Sequence, residues 1–187
     1  TGRPLTGLCD RQLVIAPRSP NVSDRIELNR RDAGQFTVGI FGTLDSSKDS
    51  AALDVFVDAN LPRAKLLIVG AGDLLPIWMA RVKALGLEQR VEFTGFVRDV
   101  GSQLARMDVL LHMPSDDSFA TLDLSLQEAI TAGVVPVVKS GTAASDLVRD
   151  DVDGLIAANN HDCVSHLRSL YHDSQRVERM RNIGLQR

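Results

Sequence analysis

Five short apolar runs, separated by stretches of helical period, constrain this chain more than any other feature. The runs are Val38-Gly39-Ile40-Phe41, Leu66-Leu67-Ile68-Val69, Val91-Glu92-Phe93-Thr94, Asp108-Val109-Leu110-Leu111 and residues 134–138. Most are continuously apolar rather than alternating, the pattern of strands covered on both faces. Between them, residues 50–59, 75–85, 99–106 and 122–132 repeat their apolar positions at helical spacing. Strands alternating with single helices imply βαβ units, because parallel neighbours need a crossover long enough to hold a helix. The expected fold is therefore α/β, a parallel sheet of about six strands with helices on both faces. Gly154-Leu155-Ile156-Ala157 adds the sixth, edge strand, and helices over 161–172 and 174–183 close the chain. Residues 1–35 are polar and rich in Arg, Pro, Asn and Asp around one apolar burst, Leu13-Val14-Ile15-Ala16. They read as an N-terminal strand and linker, with the main domain over 36–187.

Composition narrows the function. Hydrophobic residues make up 44% and charged residues 24% of the chain, enough for a large aliphatic core. A net charge of −3 and 4% aromatic content argue against a nucleic-acid partner, which needs phosphate neutralisation or stacking platforms. No apolar run reaches the roughly 18 residues of a transmembrane segment, and Thr1 opens nothing like a secretion signal. Cys9 and Cys163 form no Cys-x-x-Cys pair, and His112, His161, His166 and His172 form no ligand pair with an acid between them. No metal site is expected, and a reduced, cytoplasmic location fits. His161 and His166 are placed on a solvated helix face. In the last helix Val177, Met180 and Ile183 share a spacing that leaves Arg176, Arg179 and Arg181 on a solvated face.

Ligands of an open parallel sheet bind beyond the carboxyl ends of its strands, and three connections there carry candidate chemistry. In Phe41-Gly42-Thr43-Leu44-Asp45-Ser46-Ser47-Lys48, a glycine after a buried strand lets backbone approach a ligand, and Lys48 adds a mobile cation. A plain strand–turn–helix connection with a surface lysine fits the same residues. Gly70-Ala71-Gly72 begins like a dinucleotide fingerprint, but Leu75 stands where the third glycine belongs, and a tight turn is the preferred reading. The third connection, Met113-Pro114-Ser115-Asp116-Asp117-Ser118-Phe119-Ala120-Thr121, leads into a helix bearing Glu128. Residues 107–138 hold five acids (Asp108, Asp116, Asp117, Asp123, Glu128) and neither Lys nor Arg. Such carboxylates accept hydrogen bonds from the hydroxyls of a sugar or ribose. They also suit a helix start, with Thr121 as N-cap and Asp123 in the first turn.

In order along the chain, Gly42-Thr43-Leu44 with Lys48, Leu67-Ile68-Val69-Gly70-Ala71-Gly72, Val91-Glu92-Phe93-Thr94-Gly95-Phe96-Val97, Met107-Asp108-Val109-Leu110-Leu111-His112-Met113-Pro114-Ser115, the run from Glu128 to Val138, and Asp153-Gly154-Leu155-Ile156 carry one resemblance. From about residue 13 to 173 the chain resembles the C-terminal, donor-binding domain of GT-B glycosyltransferases of the group 1, family 4 class. The resemblance implies a Rossmann-like domain, one half of a GT-B fold, that binds a nucleotide-sugar donor without a further cofactor. It implies Lys48 on the donor diphosphate, backbone at Gly42 and Thr43 close to the donor, and backbone around Gly95, Phe96 and Val97 edging the base. It implies Glu128, the second acid of the Glu–seven residues–Glu pattern, on the ribose hydroxyls. Asp117, Ser118, Phe119 and Ala120, with Ser115 before them, would hold the transferred sugar and phosphate.

Two positions depart from the family pattern. Thr43 replaces the arginine that usually accompanies the lysine, and Ala120 stands eight residues before Glu128 where the first acid belongs. The expected activity is sugar transfer with retention from a nucleoside diphosphate sugar, of hexosyltransferase type. The acceptor site would lie on an N-terminal domain outside these residues, so the chain alone is expected to be inactive. Peripheral membrane contact would belong to the full enzyme. A non-catalytic descendant kept as a binding or scaffolding domain is the alternative. An epimerase of similar architecture, an NAD-dependent dehydrogenase and a response-regulator-like domain are further readings. The incomplete glycine fingerprint weighs against the dehydrogenase, and the lack of clustered acids after Phe41 against the regulator.

Overall fold

The computed structural model describes residues 34–45, 51–114 and 124–187. Six strands, β1 (Thr37–Phe41), β2 (Lys65–Val69), β3 (Val91–Gly95), β4 (Val109–His112), β5 (Val135–Lys139) and β6 (Leu155–Ala157), form one sheet in the order β3-β2-β1-β4-β5-β6. Every neighbouring pair is parallel. Helices α1 (Ala52–Ala59), α2 (Leu74–Ala84), α3 (Val100–Leu104), α4 (Leu124–Thr131), α5 (Asn160–His172) and α6 (Ser174–Gly184) cover both faces. This is the doubly wound order in which the chain reverses direction beside β1. The strand proposed at residues 13–16 lies outside the described residues.

Alternation along each strand sorts the core into two layers. Val38, Ile40, Leu66, Ile68, Val109, Leu111, Val135 and Val137 face the layer that includes Leu53 and Phe56 of α1, Trp78 of α2, Leu167 of α5 and Met180 of α6. Leu67, Val69, Leu110 and Val138 face the opposite layer, with Leu104 of α3 and Leu126, Ala129 and Ile130 of α4. A Cβ at Gly39 would lie 2.1 Å from Met107 Sδ, so the glycine makes room for the methionine against β1. Three helix starts are capped by an acid or amide as physical chemistry expects: Asp99 accepts from the N–H of Ser102, Asn159 from that of Asp162, and Asp173 from that of Arg176.

Two expectations about charged residues change. Asp108 is not part of an acidic cluster at the ligand edge. It precedes β4 at the amino edge of the sheet, where its carboxylate accepts from the Thr37 N–H at 2.9 Å and from Arg181 at 3.2 Å. Arg181 in turn is not on a solvated face. It is buried and donates to the Gly133 carbonyl at 3.0 Å and to Glu178 at 2.6 Å. A buried guanidinium needs such partners, and α6 is thereby fastened to the turn before β5 and to the residue before β4. Likewise His161 is exposed, but His166 is partly buried with Nε2 3.2 Å from the Ile156 carbonyl.

Candidate functional site

At the carboxyl edge, the β1 and β2 connections continue side by side instead of splaying. The Gly42 N–H donates to the Val69 carbonyl and the Leu44 N–H to the Ala71 carbonyl, each at 3.0 Å. The Gly70 N–H donates to the Gly95 carbonyl at 3.0 Å, joining β3 to the same set. The two glycines of Gly70-Ala71-Gly72 are required by this approach. Their φ values are +141° and +154°, and a Cβ would fall 1.9 Å from the Gly42 carbonyl oxygen and 2.3 Å from that of Leu44. The motif packs loop against loop, in agreement with the tight-turn reading.

Over these connections opens a cleft of about 230 Å³, lined by Phe41, Gly42, Thr43, Val69, Gly70, Ala71, Phe96, Val97 and Val100. Its floor is backbone and its walls are largely apolar. Phe96 stands at its rim and is 79% exposed. An apolar slot with an unburied aromatic face at its mouth suits a flat ring, and the exposed ring costs hydration until something covers it. Sequence reasoning had named Gly42, Thr43, Phe96 and Val97, and the fold gathers all four here from two separate connections. Phe41, Val69, Gly70 and Ala71 belong to connections that the sequence marks at the ligand edge without giving them a role of their own, and Val100, which reads as an ordinary helix position, is the lining residue it does not mark.

Glu128 lies on α4, which packs on β4 and β5 on the same sheet face as the cleft. It is partly buried, and desolvation raises its carboxyl above the ordinary value of 4.5. Beside it, the Gln127 side-chain Nε2 is buried and makes no hydrogen bond. His112 ends β4, buried, opposite Val138 of β5. Lys48, Ser115, Asp117, Ser118, Phe119 and Ala120 lie outside the described residues, as does the expected cap Thr121. Among the described residues, no group of three or more His, Cys, Asp or Glu could hold a metal ion. None of the described helices is long and apolar enough to cross a membrane.

A doubly wound domain with a cleft at the carboxyl edge of its sheet defines a class of α/β proteins, and comparison narrows it. The family model described as glycosyl transferases group 1 matches residues 35–173, well over half of the chain. The chain belongs to that family. Among solved structures, HepE of Anabaena in complex with UDP is similar at a TM-score of 0.73 and 22% identity, over 82% of this chain and 44% of that one. The C-terminal domain of the group 1 glycosyl transferase LpcC from Francisella tularensis is similar at a TM-score of 0.66 and 19% identity, over 81% of this chain and 83% of that domain. WaaG, a glycosyltransferase involved in lipopolysaccharide biosynthesis, is similar at 0.69 and 22%, over 81% and 42%. This chain thus spans less than half the length of HepE and WaaG and about four fifths of the LpcC domain. No curated protein matches it significantly.

Proposed function

We propose that this chain is the donor-binding half of a GT-B glycosyltransferase, cytoplasmic and of hexosyltransferase type, acting with retention on a nucleoside diphosphate sugar. The observation that carries this reading is the cleft. Gly42, Thr43, Phe96 and Val97, each expected at the donor, line one slot at the carboxyl edge of the sheet. The likeness to HepE, which has been solved with UDP and with UDP-glucose, supports a nucleotide-sugar donor. In this reading the base enters the cleft against Phe96 and Val97, and Glu128 accepts from the ribose hydroxyls. Lys48 faces the diphosphate, and Ser115, Asp117, Ser118, Phe119 and Ala120 hold the sugar and its phosphate.

The chemistry follows from where charge develops. As the glycosidic bond to the donor phosphate lengthens, positive charge grows on the sugar ring and negative charge on the leaving diphosphate. A fixed cation and backbone N–H groups stabilise that anion electrostatically, and no cofactor takes part. The acceptor and any base that deprotonates it belong to an N-terminal, acceptor-binding domain, so this chain binds donor without transferring sugar. Thr43, which is exposed at the cleft where the family usually has arginine, favours a second reading, a binding domain without catalysis.

Calorimetric titration with UDP, GDP, ADP and UDP-glucose separates the two. Donor binding predicts saturable heat with one nucleotide, weakened about tenfold or more by Phe96→Ala, which removes a stacking face worth ~1–3 kcal/mol. Melting should be unchanged because the ring is exposed. An absence of heat with every nucleotide would leave the scaffolding reading standing.

A further inference from the structure

The connection from β3 to α3 supplies Phe96, Val97 and Val100 to the cleft, and among them in the chain stands Arg98. We infer that Arg98 reads the far edge of the ligand's base. It selects a base with a carbonyl there, uracil or guanine, over one with an amino group, cytosine or adenine. This deepens the donor-binding reading of the site and rests on it.

Three observations converge on it. The first is that Arg98 is uncommitted. It is exposed and has no hydrogen bond, ion pair or ring contact among the described residues. The arginines before and after it in the chain are occupied. Arg90 donates to the Leu61 and Ala64 carbonyls at 2.7 and 3.3 Å and lies over the Phe56 ring, and Arg106 pairs with Glu92. The neighbouring acid is occupied too, since Asp99 accepts from the Ser102 N–H at 3.1 Å as the cap of α3.

The second is the backbone that carries it. The Gly95 carbonyl accepts from the Gly70 N–H at 3.0 Å, and Val97 packs against the core layer of α3 and α4. Beyond Arg98, Ser102 Oγ donates to the Asp99 carbonyl at 3.0 Å. The main chain is therefore held on both sides of a side chain that is not. Phe96 at the rim is two residues away, at most about 7 Å along the chain, a span that an arginine side chain covers.

The third is orientation. The cleft lies over the ends of β1 and β2 and the connection leaving β3, while Glu128 sits on the helix packed against β4 and β5 on the same sheet face. A nucleotide with its ribose at Glu128 and its base in the cleft turns the base edge opposite the glycosidic nitrogen towards β3. That is the outermost strand, and Arg98 follows it. Uracil and guanine carry a carbonyl oxygen at that edge, cytosine and adenine an amino group. A guanidinium has N–H donors and no acceptor, so it pairs with the carbonyl and meets the amino group donor against donor. The Phe96 ring makes no such distinction, because every base has a face to stack.

The test titrates the 187-residue chain with UDP, CDP, GDP and ADP, each beside its bare nucleoside. Within one pair, UDP over CDP or GDP over ADP, wild type is expected to prefer the carbonyl base roughly tenfold or more. Arg98→Ala should bring that ratio close to one by weakening the carbonyl base, for diphosphates and nucleosides alike. Arg98→Gln, which both donates and accepts, should bind the amino base more tightly than wild type does. Both variants should melt as wild type does, because the side chain they replace is exposed and without a partner. A ratio preserved in Arg98→Ala, or no preference for the carbonyl base in wild type, would overturn the inference and spare the donor reading. An equal loss for all four diphosphates, absent from the nucleosides, would also overturn it, because it places Arg98 on the phosphates. No binding of any nucleotide by wild type would overturn the donor reading and this inference with it.

Discussion

Under the proposed role of Glu128, burial of one residue acts in opposite directions on the empty and the loaded site. Desolvation raises its carboxyl above 4.5, so the ionised form is the one the fold disfavours. Between the ordinary value and the raised one, the folded chain holds more protons than the unfolded chain. Its contribution to stability is complete below the unfolded value and is lost as pH rises through the folded one. The proposed ribose recognition needs the opposite state, since an ionised carboxylate accepts from both hydroxyls whereas the acid must spend one oxygen as a donor. Acidification through that window is therefore expected to raise the melting temperature of the empty chain relative to Glu128→Gln while weakening its affinity for nucleotide. Paired melting and titration series at several pH values read both trends. Parallel trends would show that Glu128 does not contact the ligand. The glutamate itself was legible from its place before Ala129 and Gly133, but its desolvation depends on packing between α4 and the sheet, which no local pattern reports.

At the scale of elements, strand and helix positions were legible because both faces of this sheet are covered. Continuous apolar runs leave little choice of structure, and each strand expected among the described residues is found within a residue or two at either end. What escaped was the pairing of charges between elements distant in sequence. Arg181 carries the spacing of a surface arginine on α6, and Asp108 carries that of a strand-end acid. Only the fold brings them together, with Gly133 and Thr37 completing the set. With side chains only 9% and 15% exposed, the pair is costly to break from one side. Arg181→Met should destabilise the domain by about 3 kcal/mol, lowering Tm by roughly 6–12 °C for a chain of this size. Adding Asp108→Asn should return part of that loss, because the stranded carboxylate is then neutral. Calorimetric melting of the two single variants and the double variant measures the coupling. Additive losses would mean that the residues act separately. The effect should leave nucleotide affinity intact, since these groups lie at the amino edge and the cleft at the carboxyl edge.

The described residues form one doubly wound sheet, and the chain covers less than half of HepE and of WaaG. Donor binding and sugar transfer are consequently separable in the proposed function. Incubated with UDP-glucose, or with whichever sugar nucleotide it binds, the 187-residue chain should release no diphosphate above the rate of the blank. Liberation of nucleotide at enzymatic rates would show that these residues suffice for bond cleavage. The architecture was legible from the β–α alternation alone, whereas the cleft needed the β1 and β2 connections brought into register, a relation between segments some thirty residues apart.

That register also bears on how such a domain can change. The floor of the cleft is main chain held by main chain, and the spaces at Gly70 and Gly72 admit no side chain at all. Random substitution there yields strained or unfolded proteins rather than altered ligands. Variation in ligand preference enters most easily through the exposed positions, Thr43 and Phe96, whereas Val97 and Val100 also pack against the core. A library confined to the two exposed positions would search ligand space on a foundation that stays constant, and selection over long periods faces the same restriction.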